Sequence, residues 1–365
     1  MYEVTKFADC DINDQFFDTL KNDYPTFCSW FKGKSESGTT AFVSKKDGRI
    51  QAFVYVKEGE IEAVGDLPPE NRIKIGTFKT CSDFEGQRLG EGGIGLALWV
   101  WQRSNCNQIY LTVYPKHDDL IGLLERFGFF HAGFKGDELV YVKDKRTLSN
   151  DGSEKAGMIT FPYIDPDFRC GVYIPIKARF HDNMFQYSKL HNTVQITEPL
   201  PVANGITKAF IATPKHIVKY RPGDFAFVYR ISDSDNKSLK SVVTSYCTVS
   251  TVEWFKAHGK VLKGKDWNGF VKAAGNKTVY DEKELRESFS KQYVCIITLI
   301  YNGYFGNGMN INNAWLRRNG LFDKHPYENK LTREQVYKIL REGGIDESFV
   351  TFNKSGTRDK HNEQE

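Results

Sequence analysis

Between Thr77 and Leu98 the chain reads TFKTCSDFEGQRLGEGGIGLAL. A strand-like alternation runs into a glycine-rich turn and then into a helix-forming stretch. Such a turn lays successive backbone N–H groups at the positive end of a helix dipole, where phosphate binds without cationic side chains. Glycine suits the position because a Cβ would block close approach. A dinucleotide-binding loop shares the strand–glycine–helix order, but it follows the first strand of a parallel sheet and has an acidic residue roughly 20 positions on. Here the loop comes after several strands joined by hairpin signals. A Walker loop is excluded, because no Gly-Lys-Ser/Thr follows. The stretch predicts a site for a phosphate-bearing ligand; a glycine-rich turn with no ligand is the plainer alternative.

The elements that must position this turn can be read around it. Thr40–Val43 and Ile50–Val56 flank the turn signal Lys45-Lys46-Asp47-Gly48 and predict a hairpin. Lys57-Glu58-Gly59-Glu60 predicts a second turn, and Arg72–Cys81 alternates as a strand. Leu96–Ser104 continues the glycine-rich run as a helix, and Gln108–Tyr114 is strand-like. Asp118–Phe127 has apolar residues at helical spacing and stops at Gly128, a C-cap signal. Strands follow over Phe129–Phe134 and Glu138–Lys143. Residues 148–157 (LSNDGSEKAG) are small, polar and aperiodic, which predicts a linker.

With these elements in view, the first part of the chain resembles the GNAT family of acetyl-CoA-dependent N-acetyltransferases. Gln87-Arg88-Leu89-Gly90-Glu91-Gly92 fits the family's (Arg/Gln)-x-x-Gly-x-(Gly/Ala) signature. Phe84-Glu85-Gly86-Gln87-Arg88-Leu89-Gly90 also looks like its aromatic-Arg-Gly form, with Glu85 in place of Arg, so the register stays open. Val113-Tyr114-Pro115-Lys116-His117 and Leu123–Phe129 (LLERFGF) resemble a second family segment. The resemblance spans roughly residues 1–146. It implies a mixed, mainly antiparallel sheet flanked by helices, acetyl-CoA as cosubstrate and no metal. It further implies that two strands splay near positions 78 and 112, around Phe78 and Thr80, to grip the pantetheine arm. The backbone of Gln87, Arg88, Leu89, Gly90, Glu91 and Gly92 would hold the phosphates.

In such enzymes an amine attacks the thioester, a base takes the amine proton and an acid protonates the leaving thiolate. The family's usual acid is a Tyr four residues before the Gly-Phe pair, and this chain has Leu124 there. His117 occupies a position where the family often has Asn, and imidazole ordinarily titrates near about pH 6.5. Tyr114 and Tyr110 are alternatives, and capping a helix is the ordinary role for His117. Asp83 and Glu85, just before the turn, are base candidates or else solvated loop acids.

The later part of the chain is rich in β-branched and aromatic runs: Gly171–Phe180, Ile206–Thr213, Asp224–Ile231, Ser241–Trp254 and Tyr293–Tyr304. Helical insertions are expected near Trp254–Ala274 and Asp281–Lys291, and a capping box on Thr332 and Gln335 opens a last helix. Pro222–Arg230 (PGDFAFVYR), led by Thr213 and His216, is similar to the PUA-like superfamily that includes ASCH domains. That resemblance spans roughly 170–305 and implies a small β-barrel that binds RNA or modified nucleobases. The Gly-x-Lys-x-x-Glu-x-Arg pattern typical of ASCH is absent, so hydrolysis of acetylated cytidine is not expected. Lys208, Lys215, Lys219, Arg221 and Arg230, near Tyr220 and Tyr229 read as exposed, suit phosphate neutralisation and base stacking. A solvated basic face over an aromatic core is the equal alternative.

Charge separates the two parts. Residues 1–150 carry 19 Lys and Arg against 22 Asp and Glu, residues 151–345 carry 28 against 19, and 346–365 carry 3 against 5. A net of +9 in the middle segment suggests a polyanionic partner. The seven cysteines are scattered without a Cys-x-x-Cys pair, which predicts a reducing, cytoplasmic setting rather than a disulfide framework. The longest apolar run, Tyr293–Tyr301, is far short of the roughly 20 residues that span a bilayer. No basic-then-apolar leader opens the sequence.

The expected fold class is α+β. The resemblances lead us to expect a GNAT domain over residues 1–147, a linker over 148–157, a PUA-like β-barrel with helical insertions over 158–345 and a polar tail over 346–365. The expected function is acetyl transfer to an amine on or carried by RNA, with tRNA one possibility. The alternatives are a non-catalytic CoA-binding regulator of nucleic acid and a protein or small-molecule N-acetyltransferase.

Overall fold

The computed structural model describes residues 1–81, 86–150, 153, 155–191, 195, 197–323 and 325–352. Contacts divide the chain into two units, Met1–Asp144 and Lys145–Glu365. Each holds a mixed sheet with helices.

The first unit runs β1 (Tyr2–Lys6), α1 (Asp18–Asp23), α2 (Phe27–Glu36), β2 (Thr40–Lys46), β3 (Arg49–Val64), β4 (Leu67–Thr80), α3 (Leu89–Arg103), β5 (Gln108–Val113), α4 (Asp118–Arg126), β6 (Phe130–Lys135) and β7 (Glu138–Asp144). The strand order is β1-β2-β3-β4-β5-β7-β6. Every neighbouring pair is antiparallel except β4–β5. Asp47 and Gly48, both at positive φ, close the β2–β3 hairpin as a two-residue turn of this kind requires. The second turn expected at 57–60 is not there. β3 passes through it with a register shift between Lys57 and Glu60, and the chain turns instead at Gly65 and Asp66.

Alternation along β3 sets the two faces. Phe53 and Tyr55 join Phe7, Phe17 and Phe31 in an aromatic core under α1 and α2. Val54 points the other way, against α3, where a Cβ on Gly93 would lie 2.9 Å from Val54 Cγ2 and 3.0 Å from Phe78 Cε2. Glycine at 93 therefore lets helix and sheet approach closely.

The second unit carries β8 (Gly171–Lys177), β9 (Thr207–Ala212), β10 (Phe225–Ile231), β11 (Val242–Ala257), β12 (Lys260–Val261), β13 (Val294–Tyr304), β14 (Ile311–Asn312) and β15 (Lys330–Leu331). Its helices are α5 (Ala156–Thr160), α6 (Ala178–Met184), α7 (Pro201–Asn204), α8 (Lys237–Lys240), α9 (Trp267–Ala274), α10 (Glu282–Phe289), α11 (Asn313–Arg318), α12 (Arg333–Glu342) and α13 (Glu347–Val350). The sheet order is β15-β8-β10-β11-β13-β9, with β8–β10 parallel and β12 and β14 beside β11. The path does not return on itself, so the closed barrel expected from the resemblance is not found among the described residues. The insertion expected to be helical from Trp254 begins instead as strand, because β11 continues to Ala257 and turns into β12 before α9 starts. No helix among the described residues is long and apolar enough to cross a membrane.

Candidate active site

β4 and β5 pair over three rungs only, Arg72↔Gln108, Ile73↔Ile109 and Lys74↔Tyr110. Beyond them β4 runs on to Thr80 and β5 to Val113 without pairing to each other. The cause lies in β4. Thr77 pairs with Tyr55 and Ile75 with Val56, which leaves Gly76 as a bulge two residues after Lys74, the last residue of β4 to pair with β5. A bulge bends its strand and interrupts the ladder. A Cβ on Gly76 would meet Tyr55 Cδ1 at 2.9 Å, so the kink needs glycine. The result is an opening in the middle of the sheet, with Phe78 half-buried on one rim and Thr80 exposed at its end.

α3 starts beside this opening. Gly86 and Arg88 both have positive φ, and Arg88 stands at the N-cap with φ 57° and ψ 27°. The left-handed region is uncommon for a residue with a Cβ. Arg88 directs its guanidinium back onto the helix, with Nη2 2.7 Å from Glu91 Oε2. Helix geometry points the amides of the first turn, Leu89 and Gly90 among them, out along the axis. Gly92 N–H is already engaged with the Arg88 carbonyl at 3.1 Å, and the Leu89 carbonyl accepts from the Tyr2 hydroxyl at 2.8 Å. Gln87 is half-buried. Asp83 and Glu85 lie outside the described residues.

On the α1 side of the sheet, polar groups converge past the last β4–β5 rung. The Tyr24 hydroxyl donates to Glu138 Oε1 at 2.7 Å, and Thr112 Oγ1 donates to Glu138 Oε2 at 2.9 Å. The Tyr24 and Tyr114 rings lie 5.5 Å apart. Burial and the hydrogen bond to Glu138 push the Tyr24 phenol up, so it stays protonated and acts as a donor. Lys79, hydrogen-bonded to Thr19 and 5.0 Å from the Phe16 ring, is pushed down by burial.

His117 is exposed at the N-cap of α4 but makes no side-chain capping bond. Its Nε2 is 3.9 Å from Asp23 Oδ2, and Asp23 Oδ1 takes Lys116 Nζ at 2.6 Å. Thus Asp23, on α1, and Tyr24, at its C-cap, bring His117, Tyr114 and Glu138 into one neighbourhood. Tyr110 is fully buried and donates to Glu62 at 2.6 Å. That bond and one from Lys135 hold the Glu62 carboxyl down at about 2. Leu124 is also fully buried. Tyr24, Thr112 and Glu138 carry no local motif: Glu138 simply follows a turn, and Tyr24 sits before Pro25 in an aromatic stretch.

In the second unit Lys215, Lys219 and Arg221 are exposed between β9 and β10. Tyr220 and Tyr229 are 6% exposed, so the accessible aromatics expected there are in the core. Lys208 is fully buried and donates to the Val202 and Ala203 carbonyls. Arg230, 7% exposed, pairs twice with Asp182, Nε and Nη2 each at 2.8 Å. Its cationic end is therefore spent inside the fold. The Gly223-Asp224 turn does open β10, and Asp224 there is a buried partner of Arg169 at 3.0 Å. Among the described residues no cluster of three or more His, Cys, Asp or Glu could hold a metal ion.

No family model and no curated protein matches the sequence. Solved structures similar to part of the chain include an N-acetyltransferase from Thermoplasma acidophilum in complex with coenzyme A. It is 11% identical over 40% of this chain and 99% of that one, with a TM-score of 0.29. An N-acetyltransferase from Staphylococcus aureus is 16% identical over 40% and 97%, with a TM-score of 0.30. An ASCH protein from Zymomonas mobilis is 12% identical over 48% and 96%, with a TM-score of 0.32. At such scores the likenesses carry nothing about chemistry, which rests on the geometry above.

Proposed function

We propose that the first unit is an acetyl-CoA-dependent N-acetyltransferase. The observation that carries this reading is the opening between β4 and β5 beside the N-terminus of α3. The residues fit the cosubstrate: a gap between strands suits a narrow extended arm, and a helix start suits a diphosphate. Phe78 and Thr80 line the arm, and the backbone from Gln87 to Gly92 faces the phosphates, chiefly through the first-turn amides. Bound there, acetyl-CoA supplies an acetyl group activated as a thioester.

The chain's own residues then handle protons. Glu138, steadied by Tyr24 and Thr112, takes the proton that the acceptor amine loses as its nitrogen bonds to the acetyl carbon. The carbon–sulfur bond breaks and the thiolate takes a proton from His117 or Tyr114. Leu124 offers none, being apolar and buried. Asp83 and Glu85 stay base candidates from the sequence.

The acceptor amine is proposed to be on or carried by RNA, tRNA included. The support is the +9 balance of residues 151–345 and the exposed Lys215, Lys219 and Arg221. Buried Leu124 favours one second reading, a CoA-binding protein that acts on nucleic acid without catalysis. Incubation with radiolabelled acetyl-CoA and cell lysate separates them. Label in an RNase-sensitive fraction supports the first reading, label in protein or small molecules redirects the acceptor, and no label with intact CoA binding leaves the second.

A further inference from the structure

A cavity of about 360 Å³ in the second unit is lined by Lys256, Trp267, Arg286, Phe289 and Ser290. It is built where β11 ends, α9 begins and α10 finishes. The Arg286 guanidinium carbon lies 4.6 Å from the Trp267 ring centroid, and the Phe289 ring stands edge-on to Trp267 at 5.5 Å. Lys256 Nζ donates to the Phe289 carbonyl at 3.0 Å and sits 5.5 Å from its ring. Aromatic planes and cations thus share one concave surface.

The surrounding chain is strongly basic. From Trp254 to Lys277 there are six lysines and one acidic residue, Asp266. Asp266 is used as the N-cap of α9, accepting from Gly269 N at 2.7 Å. Lys260, Lys263 and Lys272 are exposed, and Val261 in β12 is 51% exposed. Carboxylates also lie near: Glu282 pairs with Arg286 at 2.6 Å and Glu253 with Lys265 at 2.6 Å, Glu284 pairs with Arg179 at 2.8 Å, Asp281 caps α10, and Glu287 is exposed on α10. None of the ion pairs uses Lys260, Lys263 or Lys272.

We propose that this cavity and the lysine-bearing β11–β12 hairpin beside it form a docking surface for single-stranded nucleic acid. A base plane stacks on Trp267 or slides against Arg286, and the flanking phosphates meet Lys256, Lys260 and Lys263. An acidic peptide would use the lysines but leave the aromatic cavity idle. The proposed contacts do not use Lys215, Lys219 or Arg221, and they do not depend on the acetyl-transfer reading.

The test is fluorescence anisotropy of the full chain with a short labelled oligouridylate across a salt series. Lys260→Gln/Lys263→Gln should lower the slope of log K against log salt by about 1.4, since each single-strand phosphate contributes about 0.7. Trp267→Ala should weaken binding about tenfold or more at fixed salt, with Trp267→Phe restoring most of it. Affinity and slope unchanged in these variants overturn the proposal, as does equal displacement by polyglutamate. Binding lost only in Lys215→Gln/Lys219→Gln/Arg221→Gln would overturn it too, by moving the contact elsewhere. Failed acetyl transfer with binding intact would sink the transferase reading alone.

Discussion

The Tyr24 hydroxyl lies 2.7 Å from Glu138 Oε1, although 114 residues separate the two in the chain. The bond joins the C-cap of α1 to the first residue of β7, and Thr112 holds the second carboxylate oxygen from β5. The carboxylate is therefore fixed beside the opening of the sheet by donors from two other elements.

If Glu138 takes the amine proton, Glu138→Gln keeps the shape and removes the base. The expected loss in kcat is about 10²-fold or more, with little change in KM for acetyl-CoA. Tyr24→Phe removes only the positioning bond and should cost less. Steady-state rates for both variants, with their pH profiles, check this ordering. An unaltered kcat in Glu138→Gln would return the proton to Asp83, Glu85 or bulk water.

His117→Ala is expected to lower kcat by about 10²-fold if imidazole protonates the leaving thiolate. Asp23 also engages Lys116, so the histidine variant leaves the Lys116–Asp23 pair at 2.6 Å in place. A kcat equal to wild type would pass the role to Tyr114.

Much of this site's framework was legible in sequence because it is local. The glycine-rich turn, α3 behind it, and α4 ending at Gly128 all follow from spacing and caps. What stayed hidden is what depends on pairing between distant strands. The bulge at Gly76 comes from the fit of β4 on Tyr55, and Tyr24 meets Glu138 only once α1 packs on the sheet. The same limit explains Tyr220, Tyr229 and Arg230. Tyr229 and Arg230 alternate between the faces of β10, where Tyr229 packs with Leu316 of α11 and Arg230 pairs with Asp182 of α6, while Tyr220 lies before β10 and is buried with its hydroxyl donating to the Tyr173 carbonyl at 2.7 Å.

The Gly93 contact gives a packing prediction. A methyl group there would meet Tyr2 Oη at 2.8 Å, Val54 at 2.9 Å and Phe78 at 3.0 Å. Overpacking of this kind typically costs about 1–3 kcal/mol. Gly93→Ala should lower the melting point of the first unit and weaken CoA binding together, because Phe78 borders the opening. A thermal melt with and without CoA measures both.

The buried His181–Asp182–Arg230 group sets a pH dependence for the second unit. His181 Nδ1 is 2.8 Å from Asp182 Oδ1, and its Nε2 is 2.7 Å from Thr244 Oγ1. Burial pushes the His181 imidazole down, only partly opposed by Asp182. Burial alone would raise the Asp182 carboxyl, but hydrogen bonds from Arg230 and His181 hold it well below the usual carboxylate range. Both groups bind protons more readily unfolded than folded, so stability rises with pH across each window. It should fall as pH drops below about 6.5, where unfolded histidine protonates, and again below about 4, where unfolded aspartate does. Urea melts of wild type and His181→Gln from neutral to acidic pH check the sign. A second unit more stable at pH 5 than at pH 7 would contradict it. Arg230→Ala, which strands the Asp182 charge, should cost about 3–5 kcal/mol.

The central claim is that coenzyme A binds at the opening between β4 and β5, with its phosphates at the start of α3. A thermal-shift titration with CoA tests it most directly. Binding to the native state alone adds about 2.7 kcal/mol at about 100 times Kd, so the melting point should climb with CoA concentration. Gly90→Glu, which puts a carboxylate at the helix start, should abolish the climb without lowering the unliganded melting point by more than a few degrees. A wild-type melting point that stays flat up to millimolar CoA, or a Gly90→Glu variant that responds like wild type, would contradict the account.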